Sequence, residues 1–134
     1  MNWKQAKKFC LDQKAEMVVL ESEEEIKEVA KMTADLTKKK WRFWVDGKMI
    51  NGAWKTHKGE KSPTFTPWGA SPGVEGDCIR TGGDTKWYRA PCDVKDVAGG
   101  YTINPLCKKP LKGKTTDSPK QGRLAIIYIL LWQQ

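Results

Sequence analysis

Apolar residues recur with two different periods along the first half of the chain. Trp3, Ala6, Phe9 and Cys10 stand at helical spacing behind Asn2, an N-cap with Gln5 three residues on. That is the pairing of a capping box, and it predicts a helix over Trp3 to Gln13. Met17, Val18, Val19 and Leu20 form a run too short for a helix and rich in β-branching, which predicts a strand or an extended link. A second capping box, Ser22 with Glu25, sits in the acidic run Glu21 to Glu25, and Ile26, Val29, Ala30 and Thr33 share one face. A second helix is therefore expected to end near Leu36.

From Trp41 the period becomes two. Trp41, Phe43 and Val45 alternate with Trp44 on the opposite side, Asp46-Gly47 offers a tight turn, and Asn51-Gly52 offers another before Trp54. Strands joined by short turns are expected, with the tryptophans in the core. Periodicity then lapses from Trp68 to Cys107, a stretch with three of the four cysteines and with Gly76, Gly82 and Gly83. A segment this long without regular structure is uncommon in a compact domain unless it is functional. Crosslinks would restrict its unfolded states, so it reads as a stapled binding loop.

Composition narrows the class. The chain has 134 residues, enough for one domain with one ordinary core, and its seven tryptophans set it apart from disordered chains despite a 39% hydrophobic fraction. The cysteines at positions 10, 78, 92 and 107 include no CxxC pair and have no histidine nearby, which argues against structural zinc. Three pairings are open to them, and two disulfides place the protein in an oxidising compartment. Met1 to Cys10 contains no apolar run and so is no signal peptide. A secreted protein, or the extracellular face of a membrane protein, represented here by a fragment or isoform, reconciles the two observations.

The formal charge of +8 favours anionic partners. Lys38, Lys39 and Lys40 read as a solvated loop. No nucleic-acid motif is present and the lysines are dispersed, so nucleic acid is not the expected partner. His57, the only histidine, has no nucleophile or carboxylate beside it in the sequence and is expected on a surface loop. With no paired nucleophile and base, no phosphate-binding loop and no metal triad, an enzyme is not expected.

Several motifs in order carry a resemblance: two helices, FWVDG from Phe43 to Gly47, Trp54, WGASPG from Trp68 to Gly73, Asp77-Cys78, Trp87 followed by Cys92, then Cys107. The order resembles a C-type lectin-like domain over residues 1–110. The resemblance implies an α+β fold of two helices, small antiparallel sheets and a long disulfide-stapled loop region. It also implies the pairs Cys10–Cys107 and Cys78–Cys92 and an extracellular setting.

Sugar-binding members of that family hold calcium through Glu-Pro-Asn or Gln-Pro-Asp, a later Glu, and Asn-Asp after the tryptophan, because a hard cation takes six to eight oxygen ligands. Here Pro72 is flanked by Ser71 and Gly73, the Asn-Asp positions hold Tyr88 and Arg89, and the later Glu falls on Gly76 with Glu75 adjacent. Only Glu75, Asp77 and Asp84 remain nearby. No metal or other cofactor is therefore expected. The resemblance then implies recognition of a carbohydrate, and the basic residues interleaved with aromatics together with the net charge point to an acidic glycan, bound by Trp87, Tyr88, Arg89, Arg80, Lys86 and Glu75. A calcium-independent protein-interaction domain of a receptor ectodomain or matrix protein is the alternative.

Two departures concern the ends. The family's first strand, which precedes the first helix and pairs with the strand at the last cysteine, has no counterpart before Trp3, leaving an open sheet edge. After the domain, residues 111–123 read as a polar linker and 124–134 as an apolar tail. Leu124 to Trp132 is too short to span a bilayer, which needs about 20 apolar residues. It is read as a fragmentary or alternatively spliced tail, with a strand covering the open edge as one alternative.

Overall fold

The computed structural model describes residues 1–70, 75–110 and 126–129. Ser71, Pro72 and Gly73 of the long loop, and the 111–123 linker, lie outside the described residues.

Helix α1 (Trp3–Asp12) starts at the expected box: Asn2 Oδ1 accepts the Gln5 N–H at 2.8 Å and Gln5 Oε1 accepts the Asn2 N–H at 2.9 Å. It buries Trp3, Ala6 and Cys10. Strand β1 (Glu16–Met17) continues into the buried segment Val18 to Leu20. Helix α2 (Glu23–Met32) is capped by Ser22, whose Oγ accepts the Glu25 N–H at 3.0 Å. The helix expected to reach Leu36 is instead two, with α3 (Ala34–Lys38) following a break at Thr33. Both the backbone N–H and the hydroxyl of buried Thr33 donate to Val29 O, at 2.9 and 2.8 Å. A hydroxyl competing for the i−4 carbonyl bends a helix, which accounts for the break.

The chain then builds a sheet around β2 (Trp41–Ile50). β3 (Ala53–Thr56) folds back on its second half, and β4 (Cys78–Thr81) runs antiparallel beside it. β5 (Trp87–Ala90) extends the sheet beyond β4. On the other side β7 (Tyr101–Asn104) pairs parallel with β2 and carries β6 (Asp96–Val97). The Asn51-Gly52 turn is present, with φ of 52° and 83° suiting a tight hairpin. The turn expected at Asp46-Gly47 is not: β2 passes straight through, and its register with β4 shifts between Val45 and Lys48. A bulge absorbs the residues that looked like a turn. Gly47 is small because a Cβ there would lie 2.6 Å from Ile79 Cδ1.

A second sheet has the order β1, β8 (Cys107–Pro110), β9 (Ile126–Ile129). Among the described residues no strand precedes α1, and the edge of β8 is taken by β9, with Cys107 opposite Ile129 and Pro110 opposite Ile126. The alternative reading of the apolar tail, a strand on the open edge, is thus the observed one for these four residues.

Two apolar clusters fill the interior. One joins Trp3, Ala6 and Cys10 of α1 to Trp44, Ile103 and Cys107; the other joins Leu20, Ile26 and Val29 to Phe43, Val45, Ile79, Trp87 and Leu106. Alternation along β2 separates them: Trp44 points to the first, Phe43 and Val45 to the second. Disulfides join Cys10 to Cys107 and Cys78 to Cys92, with Cα separations of 5.4 and 5.2 Å, the pairing the resemblance implied. Among the described residues no helix is long and apolar enough to cross a membrane.

Candidate functional site

The β4–β5 ladder decides which predicted site residues meet. Arg80 lies opposite Tyr88, and Thr81 opposite Trp87. Since side chains alternate across a strand, Tyr88 shares a face with Arg80, while Trp87 and Arg89 point the other way.

Tyr88 is half-buried, and its ring rests on backbone. A Cβ on either Gly69 or Gly82 would collide with it, so both glycines act as a seat for the ring. The Arg80 guanidinium stands 5.3 Å from the ring centroid, and the Tyr88 hydroxyl donates to Asp84 Oδ2 at 2.8 Å. Burial raises the Tyr88 pKa, and the bond to the Asp84 carboxylate raises it further. Burial likewise lowers that of Arg80, helped by the positive charge of Arg42 nearby. Lys86 is exposed on the turn leading into β5, where its N–H donates to Asp84 Oδ1 at 3.0 Å. Arg80, Lys86 and Tyr88 therefore come together.

Trp87 does not join them. It is 0% exposed, its Nε1 donates to Val19 O at 3.0 Å, and its ring meets Trp68 edge-on at 5.5 Å. The ligand contact expected of Trp87 is corrected to a core role, because a side chain with no accessible surface has nothing to present. The other tryptophans of this row are half-buried, with Trp68 5.4 Å from Trp54.

Arg89 lies on the far side of β5. Its Nε donates to Gly76 O at 3.0 Å, and its guanidinium stands 5.5 Å from the Trp54 ring centroid. Together with Glu75, Asp77 and Asp93 it lines an open cavity of about 400 Å³. Glu75 and Arg89 thus share one locus, and Arg80, Lys86 and Tyr88 another.

Of the two positions that would supply Asn-Asp ligands, one holds a hydroxyl that donates to Asp84 and the other a permanently charged guanidinium bonded to a carbonyl. Among the described residues no group of three or more His, Cys, Asp or Glu is placed to hold a metal ion.

His57 is more engaged than a loop residue needs to be. Its Nε2 is 3.0 Å from Glu21 Oε2, and its Nδ1 is 2.9 Å from Thr56 Oγ1. Lys108 Nζ then bridges Glu21 at 3.8 Å and Glu25 at 2.9 Å. The order hydroxyl, imidazole, carboxylate is that of a hydrolytic triad, but Thr56 is 1% exposed and its hydroxyl also lies 3.5 Å from Lys61 O, beside a cavity of about 290 Å³ lined by Glu21, His57 and Lys61. The network ties the start of α2 to β3 and β8.

Sequence reasoning missed residues on the Tyr88 face. Arg42 stacks over Tyr101 with its Cζ 4.3 Å from the centroid, and Lys40 Nζ lies 5.5 Å from the same ring. The available signal was the polar residue in Trp41-Arg42-Phe43-Trp44: two places before Trp44, Arg42 shares its face and so that of Arg80 across the ladder.

The family model of the lectin C-type domain matches residues 1–98. The chain belongs to the C-type lectin domain family. Among solved structures, this lectin domain is similar to the carbohydrate-recognition domain of the mouse scavenger receptor C-type lectin, at 22% identity and a TM-score of 0.59, covering 69% of this chain and 75% of that one. Human lithostathine aligns at 21% identity and a TM-score of 0.58, over 69% of this chain and 76% of its own. A calcium-independent type II antifreeze protein aligns at 20% identity and a TM-score of 0.56, over 70% and 72%. No curated protein matches the sequence. These similarities establish the fold of the C-type lectin domain described above.

Proposed function

We propose that this C-type lectin domain is an extracellular, non-enzymatic recognition module that binds an acidic glycan through Arg80, Lys86 and Tyr88, without calcium. The observation that carries the reading is Tyr88 itself. A seated aromatic ring with a guanidinium 5.3 Å from its centroid offers apolar contact to a sugar and a charge to its acidic substituent from one place. The net charge of +8 adds long-range attraction for such a ligand. Two disulfides support an oxidising, extracellular setting.

Independence from calcium is supported by chemistry: Tyr88 and Arg89 replace the side chains that would ligate the ion, and a guanidinium repels it. A glycan array probed with the oxidised protein, once in millimolar calcium and once in chelator, tests the reading. Signal confined to sulfated or carboxylated glycans and unchanged by chelator is expected. Signal lost in chelator overturns calcium independence, and a blank array in both conditions moves the ligand to a protein.

A further inference from the structure

Beyond Tyr88, the same sheet face holds a second arginine with an unusual pattern of bonds. Arg42 Nη1 donates to Trp41 O at 2.9 Å and to Thr37 O at 3.4 Å, and Arg80 Nη1 donates to Thr81 O at 3.0 Å. In both residues the Nε and Nη2 groups have no acceptor among the described residues, and neither arginine is in a salt bridge there. That leaves each guanidinium with its Nε/Nη2 edge open, the edge that grips an oxyanion with two parallel hydrogen bonds.

The surroundings keep those edges free and fixed. Arg42 is stacked on Tyr101 and Arg80 on Tyr88, so both planes are held by rings. Gly83 supplies no side chain beside Arg42, and a Cβ there would sit 3.2 Å from Arg42 Nη2. Asp84, the adjacent carboxylate, is committed within its own turn, with Oδ1 accepting from the Lys86 N–H and Oδ2 from the Tyr88 hydroxyl. Lys40, last of the lysine run, is drawn in by the Tyr101 ring and by Gly99 O at 3.0 Å. Two like charges held near one another with no salt bridge to either among the described residues are stabilised by an anion; the Arg80 pKa is lowered first by burial and then by the charge of Arg42, with Asp84 offsetting only part of this.

We propose that Arg42 and Arg80, flanked by Lys40 and Lys86, form a cradle for the sulfate or carboxylate group of the acidic glycan, on the face of β2 and β4 that Tyr88 shares. The inference rests on the acidic-glycan reading and gives it an anchor that the family's long loop does not contain.

Isothermal titration of the oxidised full chain with a heparin octasaccharide tests it, with the desulfated octasaccharide, hyaluronan octasaccharide and inorganic sulfate as comparison ligands. Arg42→Ala and Arg80→Ala are each expected to weaken heparin binding by about tenfold or more, and Arg89→Ala to change it by less than about twofold. Because Arg42→Ala also removes the Tyr101 stack, Arg42→Lys is the second variant. It keeps the charge but loses the fork, and should weaken binding while leaving Tm unchanged.

Wild-type affinity in all three arginine-to-alanine or lysine variants at positions 42 and 80 overturns the cradle and leaves acidic-glycan binding standing. A loss confined to Arg89→Ala does the same and moves the anchor across β5. Inorganic sulfate bound as tightly as the octasaccharide overturns the glycan as ligand in favour of a free anion. No binding of either anionic octasaccharide by the wild type overturns the acidic-glycan reading, and the cradle with it. Of the two anionic chains, tighter heparin names sulfate and tighter hyaluronan names carboxylate.

Discussion

Tyr88 and Arg89 are adjacent in the chain and serve opposite sides of β5: the Tyr88 ring packs beneath Arg80, while Arg89 reaches Gly76 O and the Trp54 ring. Arg89 therefore braces the long loop against the β2–β3 hairpin. Arg89→Ala is expected to lower stability by about 1 to 2 kcal/mol through loss of one hydrogen bond and one cation–π contact. Urea denaturation checks this; an unchanged midpoint would show that the brace carries no load.

The two glycines under Tyr88 make a different prediction. Gly82→Ala places a methyl group where the Tyr88 ring lies and should push the ring off its seat. Binding of an acidic glycan is expected to fall by about fivefold or more, comparable to Tyr88→Ala, with Tm shifted by a few degrees at most. Parallel titrations of the two variants check it, and equal binding by wild type and Gly82→Ala removes Tyr88 from the site.

Asp46 is 3% exposed and accepts the Lys58 N–H at 3.0 Å. Burial raises its pKa above the ordinary value of 3.8. The folded state thus favours the protonated form, so this group's contribution to stability is full below pH 3.8 and declines as pH rises through the folded-state pKa. Asp46→Asn keeps an acceptor for Lys58 and removes the buried charge. It is expected to raise Tm at pH 7, with the gain disappearing below pH 3.8. Thermal melts of both proteins across that range decide it; a lower Tm for Asp46→Asn at pH 7 would mean the charge itself is stabilising.

The disulfides differ in what they hold. Cys10–Cys107 spans 97 residues and Cys78–Cys92 spans 14, so chain-entropy estimates give about 4.7 and about 3 kcal/mol respectively. Paired replacement by alanine should therefore destabilise more at the outer bridge. Denaturation of the two double variants checks the order.

Removing residues 124–134 exposes the unpaired edge of β8. A lower Tm and concentration-dependent association, read by light scattering after size exclusion, are expected. A monomer of unchanged Tm would show that β9 contributes nothing to the domain.

Much of the fold could be read before the structure, and the exceptions have physical causes. The α1 cap, the Asn51-Gly52 hairpin and the family's disulfide pairing follow from local chemistry and motif order. The break at Thr33 depends on a hydroxyl competing for one carbonyl, which apolar periodicity does not register. Asp46-Gly47 carries a turn signal, but pairing with β4 keeps the strand extended and turns the glycine into a bulge under Ile79. The candidate site was half legible: a compact string of basic and aromatic residues marked β5, yet strand alternation divides it, buries Trp87 and brings in Arg42 and Tyr101 from elements distant in sequence. Pairings of that range are set by the assembled sheet.

The Cys10–Cys107 bond also governs how the domain answers a pull. Tension applied to the chain outside these two cysteines passes through the covalent link, and the sheet strands from β2 to β7, all lying between them, stay slack. Strand β9 lies outside that shortcut and is held to β8 by main-chain hydrogen bonds, so it bears the load directly. A mechanically loaded copy of this protein would shed β9 while the sheet built on β2 remained at zero strain.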